Sequence, residues 1–305
     1  MSSNIKTFPN LDSISAPFKG ILLDAYGVFW GGNSLGLLPG SKEAMEQLVS
    51  DGKIVGILSN TTQLAAKEMH KLHTHGLMQD RHFHFLVTSG EIAKSLFLHE
   101  ELPFATPRKK YWLFGSVHPG FASHDPIFQD TAYKETPHLD EADFIYISIP
   151  HMKGEDQTNR EVFREELHAL KETGLLMVCP NPDQFAQEGN PPKAVVRQGS
   201  IAALYEELGG QVFYIGKPSS MAYVTAMKHF FRHHIVQPAE VLMIGDNPET
   251  DIRGARQFGM RAALVIQTGL MAERIAHQGL EKMLQELSQN DIPHFFLERL
   301  GHYVL

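Results

Sequence analysis

The chain holds a single cysteine, Cys179, and only two tryptophans among its 305 residues. One cysteine cannot close an internal disulfide, so the fold must rest on a buried core rather than on covalent staples. A basic excess is also missing. Twenty-seven lysines and arginines stand against 35 aspartates and glutamates, for a formal net charge of −8. That balance lacks the positive field that tracks a nucleic-acid backbone or an anionic membrane surface, and neither is expected as a partner. No long apolar stretch follows the polar start Met1-Ser2-Ser3-Asn4, so neither secretion nor membrane insertion is signalled and a cytoplasmic location is expected. There is no fixed-period repeat and no low-complexity tract. What remains is the composition of a soluble globular protein, 43% hydrophobic and 20% charged, long enough for one large domain or two ordinary ones.

Short apolar runs rich in β-branched residues alternate with helical patterns, the grammar of an α/β fold with a parallel sheet. Gly20-Ile21-Leu22-Leu23 ends at Asp24, and Ile54-Val55-Gly56-Ile57-Leu58 ends at Ser59-Asn60. Between them Pro39-Gly40 breaks the chain, and Ala44, Met45, Leu48 and Val49 recur at helical spacing. The pattern returns late in Val212–Ile215, Val241–Ile244 and Ala262–Ile266. The segment between has strand candidates of its own at 111–114, 144–149 and 175–178. Its helical stretch Asn159–Glu172 aligns Val162, Phe163, Leu167 and Leu170 near one face. The reading is a doubly wound parallel core formed by 1–89 and 198–305, with an inserted α/β cap at 90–197 and a loop or hinge at Gly189-Asn190-Pro191-Pro192.

Polar residues that directly follow buried parallel strands fall at the carboxyl edge of the sheet, where ligands bind in open α/β folds. Four such places present Asp24, Ser59-Asn60, Lys217, and Asp246 with Asp251. Carboxylates, one ammonium, and hydroxyl and amide donors on one edge suit a hard cation and an oxygen-rich anion such as phosphate.

In order, Ile21-Leu22-Leu23-Asp24-Ala25-Tyr26-Gly27-Val28, Leu58-Ser59-Asn60-Thr61, Gly216-Lys217-Pro218-Ser219 and Gly245-Asp246-Asn247-Pro248-Glu249-Thr250-Asp251 resemble the four motifs of the haloacid dehalogenase superfamily of aspartate-nucleophile hydrolases. Asn181-Pro182-Asp183 and Gly199-Ser200 resemble its class IIA branch, which carries the large C2 cap. The resemblance implies that Asp24 is the nucleophile, and that Mg²⁺ is held by Asp24, the backbone carbonyl of Tyr26 and Asp246. It further implies that Asp251 acts through water or orients Lys217, which stabilises charge with Ser59 and the Asn60 amide. Asn181 and Asp183 would lie near the substrate, a small phosphorylated metabolite, and a homodimer is suggested.

One position departs from the phosphatase pattern. Where those enzymes carry a second aspartate two residues after the nucleophile, this chain has Tyr26. A phenol with a pKa of ~10 shuttles protons poorly near neutrality, which predicts a preference for good leaving groups such as aryl or acyl phosphates. The same Asp24-Ala25-Tyr26-Gly27 resembles the first motif of metal-independent 2-haloacid dehalogenases. These typically lack the first acid of the last motif and carry a small helical cap. A catalytically weak phospholigand-binding protein on the same fold is a further alternative.

Ordinary explanations stand beside each residue. Asp24 and Asp246 could cap turns, Ser59 and Asn60 could cap the helix beginning near Gln63, and Asn181-Pro182-Asp183 could be a plain turn. Tyr26 could simply fill space. The histidine pairs at 73–75, 82–84 and 233–234 lack acidic or cysteine partners at ligand spacing, and Cys179 reads as a small core residue. The tail from Leu280, with Phe295, Phe296 and Leu297 clustered, reads as helical and packed on the core.

Overall fold

A computed structural model of the chain describes residues 5–32, 35–115, 124–188 and 193–301, so the expected hinge at 189–192 lies outside the described residues. Two compact units emerge. One comprises Met1–Ser59, Ala66–Val87 and Lys217–Leu305; the other comprises Asn60–Ala65 and Thr88–Gly216.

The first unit is built on a seven-stranded sheet. Its order is Lys6–Phe8, Phe295–Leu297, Arg261–Val265, Val241–Gly245, Gly20–Leu23, Ile54–Ser59 and Phe85–Thr88. The pairings from Lys6–Phe8 through Ile54–Ser59 are all parallel. Parallel strands covered on both faces need apolar side chains at every position, which is why Gly20–Leu23 and Val241–Gly245 are buried throughout and read as unbroken apolar runs. Their register sets Leu23 beside Ile244 on one side and Ile57 on the other. From Gly20–Leu23 the chain winds outward one way to Ile54–Ser59, while the late strands lie on the other flank. The switch in winding direction therefore falls between Gly20–Leu23 and Val241–Gly245, directly before Asp24 and Asp246.

The second unit has a parallel five-stranded sheet ordered Val212–Tyr214, Leu176–Cys179, Phe144–Ile147, Lys110–Phe114 and Lys134–Glu135. This moves the expected boundary. Val212–Tyr214 pairs with Leu176–Cys179, and the helix Gln198–Glu207 packs Ile201, Leu204 and Tyr205 against Met177 and Cys179. Residues 198–216 thus belong with the insert rather than with the core. Two other expectations change. Phe295–Leu297 is a strand rather than helix, and the stretch after Asn159 begins as a 3₁₀ turn, Arg160–Phe163, that leaves Val162 exposed before the helix Arg164–Lys171. Among the described residues no helix is long and apolar enough to cross a membrane.

Two histidines fasten strands of the first sheet in the same manner. His84, just before Phe85–Thr88, donates its backbone N–H to the Val55 carbonyl at 2.7 Å and accepts the Val55 N–H at Nδ1 at 3.0 Å. His294, just before Phe295–Leu297, does the same with Ala262 at 2.9 and 3.1 Å. A ring protonated at Nδ1 is a donor there and cannot accept. Burial, reinforced by His233, holds His84 below the usual histidine range; burial with Arg256 and Arg261 lowers His294 to about 4. The folded state therefore binds fewer protons than the unfolded chain, whose histidines titrate near ~6.5. Stability from the His294 clasp is full above about pH 6.5 and is lost as the pH falls toward about 4, and the His84 clasp weakens in the same direction. The urea midpoint should drop across that window. His294→Asn, which offers a non-titrating acceptor in place of Nδ1, should flatten the drop; an identical pH profile would refute the assignment.

Candidate active site

Asp24 continues the strand that precedes it, its N–H donating to the Ile244 carbonyl at 2.9 Å. Its side chain meets Lys217, which is only 1% exposed. The Lys217 ammonium donates to Asp24 Oδ1 at 2.5 Å and lies 2.7 Å from Asp251 Oδ1. Asp251 is aimed by a π-helical turn, Pro248–Ile252, whose cap Asn247 accepts the Glu249 N–H at 3.0 Å. The Asn247 N–H donates to Asp251 Oδ2 at 3.1 Å, so both oxygens of that carboxylate are engaged. The Tyr223 hydroxyl lies within hydrogen-bonding reach of the Thr250 and Asp251 carbonyls, at 3.2 and 3.1 Å, and burial together with the Asp251 carboxylate keeps that phenol well above the ordinary tyrosine range.

Asp246 is held differently. Its Oδ2 accepts the Leu270 N–H at 2.7 Å, and a Cβ on either Gly27 or Gly269 would come 2.1 Å from that oxygen. Gly27 also adopts φ +77, which disfavours side chains on its own account. Thr268 Oγ1 donates to the Gly27 carbonyl at 2.6 Å and locks the two loops together. At Gly245 a Cβ would lie 2.2 Å from the Asp251 carboxyl carbon. The carboxylates thus sit where only bare backbone leaves room for them.

One oxygen each from Asp24, Asp246 and Asp251 lies within 4.8 Å of the others, and all three residues are buried. With every group charged, three carboxylates and one ammonium sum to two net negative charges in a buried place, which is costly. An all-oxygen set with that deficit fits a small divalent cation.

The other expected residues divide. Ser59 ends its strand, buried. Asn60 is the first residue of the second unit, and there its side chain donates to Asp183 Oδ1 at 3.1 Å and accepts from Ser89 Oγ at 3.2 Å. Asn181 Oδ1 accepts the Asp183 N–H at 3.0 Å. Asn60, Asn181 and Asp183 therefore form one polar knot within the insert unit, a link the sequence did not announce. Cys179 is fully buried, and burial raises its thiol far above the ordinary cysteine range, consistent with a core residue. Tyr26 is 40% exposed, and its hydroxyl accepts from Lys71 Nζ at 3.3 Å. Thr268, Gly269 and Lys71 were not anticipated. The first two follow the strand Arg261–Val265 and occupy the same sheet edge as the other strand-end residues, which is the signal that could have found them.

A haloacid dehalogenase-like hydrolase model matches residues 21–122, and a second HAD-hydrolase-like model matches residues 214–284. Chronophin from Bos taurus is 25% identical over 298 residues, covering 93% of this chain and 91% of its own. Sugar-phosphatase AraL from Bacillus subtilis is 26% identical over 254 residues, covering 81% and 82%. A haloacid dehalogenase-like hydrolase from Brucella suis shares the fold with a TM-score of 0.76 at 21% identity, covering 96% of this chain and 99% of that one.

Removing the ammonium should expose the charge problem directly. Lys217→Met leaves Asp24 and Asp251 buried without their cation, and denaturant unfolding without divalent ions should show a loss of about 3–5 kcal/mol. A loss under about 1 kcal/mol, the range of an exposed pair, would mean the site is more hydrated than its burial indicates.

Proposed function

We propose, from its likeness to haloacid dehalogenase-like hydrolases of the phosphatase-like class IIA branch, that the chain is a Mg²⁺-dependent phosphohydrolase of a small phosphorylated metabolite. The observation that carries this reading is Lys217 ion-paired to both Asp24 and Asp251 in a carboxylate cluster that Asp246 completes.

In this reading an Asp24 carboxylate oxygen attacks phosphorus, the bond from phosphorus to the leaving oxygen breaks, and an aspartyl-phosphate forms. Water then attacks that phosphorus and returns Asp24 with inorganic phosphate. Asp24, Asp246 and the Tyr26 carbonyl would hold Mg²⁺, which when bound would offset the repulsion between carboxylate and phosphate dianion. Lys217 keeps Asp24 aimed and faces the charge on the phosphoryl oxygens, with Ser59 and the Asn60 amide as donors. Asp251, with both oxygens engaged by Lys217 and the Asn247 amide, acts by orienting Lys217. Retention of Asp246 and Asp251 in one cluster supports phosphoryl chemistry over the metal-independent attack on carbon.

The test is phosphate release from aryl and acyl phosphates with and without Mg²⁺. Asp24→Asn should lower turnover by about 10⁴-fold or more, the scale on which concerted catalytic groups fail. A phosphorylated Asp24 should be trappable by mass spectrometry. Metal-independent chloride release from 2-haloacids with no phosphate release would replace this reading with the dehalogenase one.

Tyr26 sets the second expectation. Because a phenol is a weak acid–base catalyst near neutral pH, alkyl phosphates should turn over slowly, and Tyr26→Asp should raise their kcat by about 10²-fold while changing aryl phosphates much less. Equal effects on both substrate classes would show that proton delivery to the leaving group is not what limits the wild-type protein.

A further inference from the structure

The turn after Asp24 is unusual in what it leaves outside. Val28, Phe29 and Trp30 are buried, while Tyr26 keeps a large aromatic ring partly in solvent. Two residues of extended chain span at most about 7 Å, so the Tyr26 backbone stands that close to the Asp24 backbone. An aromatic side chain close in the chain to a nucleophile is useful only if it is held still, and two contacts from Lys71, itself held by two more, hold this one. Lys71, on the helix Ala65–Thr74, donates to the Tyr26 hydroxyl at 3.3 Å and lies 5.2 Å from the centre of its ring. The same ammonium lies 4.9 Å from the centre of the buried Trp30 ring and pairs with Glu68 at 2.7 Å, one helical turn earlier. Trp30 is itself braced edge-on by His75 at 4.6 Å. Each contact is modest alone, but together they fix the ammonium and, through it, the phenol.

We propose that the Tyr26 ring is a stacking surface for a planar leaving group, that Lys71 is the positioning residue that keeps it in place, and that the protein consequently selects aryl phosphates over aliphatic ones. This rests on the phosphohydrolase reading and goes beyond it: selection comes from recognition of ring shape and not only from leaving-group acidity. Aromatic pairs in offset or edge arrangements add about 0.5–1.5 kcal/mol beyond area burial, which corresponds to about a 2- to 10-fold preference.

Binding of non-hydrolysable phosphonates separates the two ideas. Phenylphosphonate and cyclohexylphosphonate are similar in size and charge, but only the first is planar. With Mg²⁺ present, calorimetry on the full chain should give a Kd ratio of about 2- to 10-fold in favour of phenyl. Tyr26→Leu should bring that ratio to about one, whereas Tyr26→Phe should keep a preference because the ring remains. Lys71→Met should reduce the ratio and Lys71→Arg should restore it; a purely structural role for Lys71 would weaken both ligands alike and leave the ratio untouched. Binding of both phosphonates without a phenyl preference, or a preference that survives Tyr26→Leu, overturns this inference alone. Failure of the wild-type protein to bind either ligand overturns the phosphate-site reading and this inference with it.

Discussion

A lysine ammonium buried between two carboxylates is the constraint on which the rest of the core is arranged. Lys217 is removed from water, so its charge must be answered locally, and Asp24 and Asp251 answer it from residues 193 and 34 positions away in the chain. Such a contact can exist only if the sheet brings the ends of distant strands together, and the parallel register of Leu23 beside Ile244 does that. The surrounding glycines follow from the same demand. With Asp251 and Asp246 packed against backbone, Gly245, Gly27 and Gly269 have no room for a Cβ. Residues with no chemistry of their own are thereby fixed by the position of the charges.

The charges of that cluster do not balance among its own four side chains. A buried lysine with a single carboxylate is already near break-even against an apolar replacement, and each further carboxylate makes matters worse unless another positive group arrives. The site carries three. Stability alone would have favoured fewer acids, so the excess negative charge is a cost that the fold sustains elsewhere, through the continuous apolar strands that surround the site.

Much of this was legible in the sequence, for a physical reason. Parallel strands buried on both faces are written as unbroken apolar runs, and the polar residue that ends such a run is delivered to the ligand-binding edge without any further information. Asp24 and Asp246 could be read in that way; Lys217 follows a strand of the other sheet and Asp251 lies on the turn Pro248–Ile252, so these two were legible only through their motifs. Partner choice could not be read. Val212–Tyr214 is a half-buried three-residue strand whose apolar character does not say which sheet it joins, and it pairs with Leu176–Cys179 instead of joining the core. Lys6–Phe8, Phe85–Thr88 and Phe295–Leu297 are too short to show a period, and the last was read as helix. Side-chain partners were equally hidden. Nothing local indicates that Asn60 reaches Asp183, 123 residues on, or that Lys71 reaches Tyr26, 45 residues back.

Tyr26 shows where these levels of argument meet. In the sequence it is a missing carboxylic acid, a deficit for proton transfer. In the structure it is a partly exposed aromatic side chain, tied to a lysine that is itself tied to Glu68 and laid over Trp30. An aspartate at that position would bring a fourth negative charge close to a cluster already short of positive ones, whereas a neutral phenol adds none. The substitution therefore exchanges acid–base power for a lighter electrostatic load and a rigid ring. Under the proposed phosphohydrolase reading, loss of the acid would lower the ability to expel poor leaving groups, and gain of the ring would favour planar ones. On that proposal both consequences point toward the same substrates, and the residue that departs from the family pattern would narrow specificity while Asp24 and its lysine stay in place.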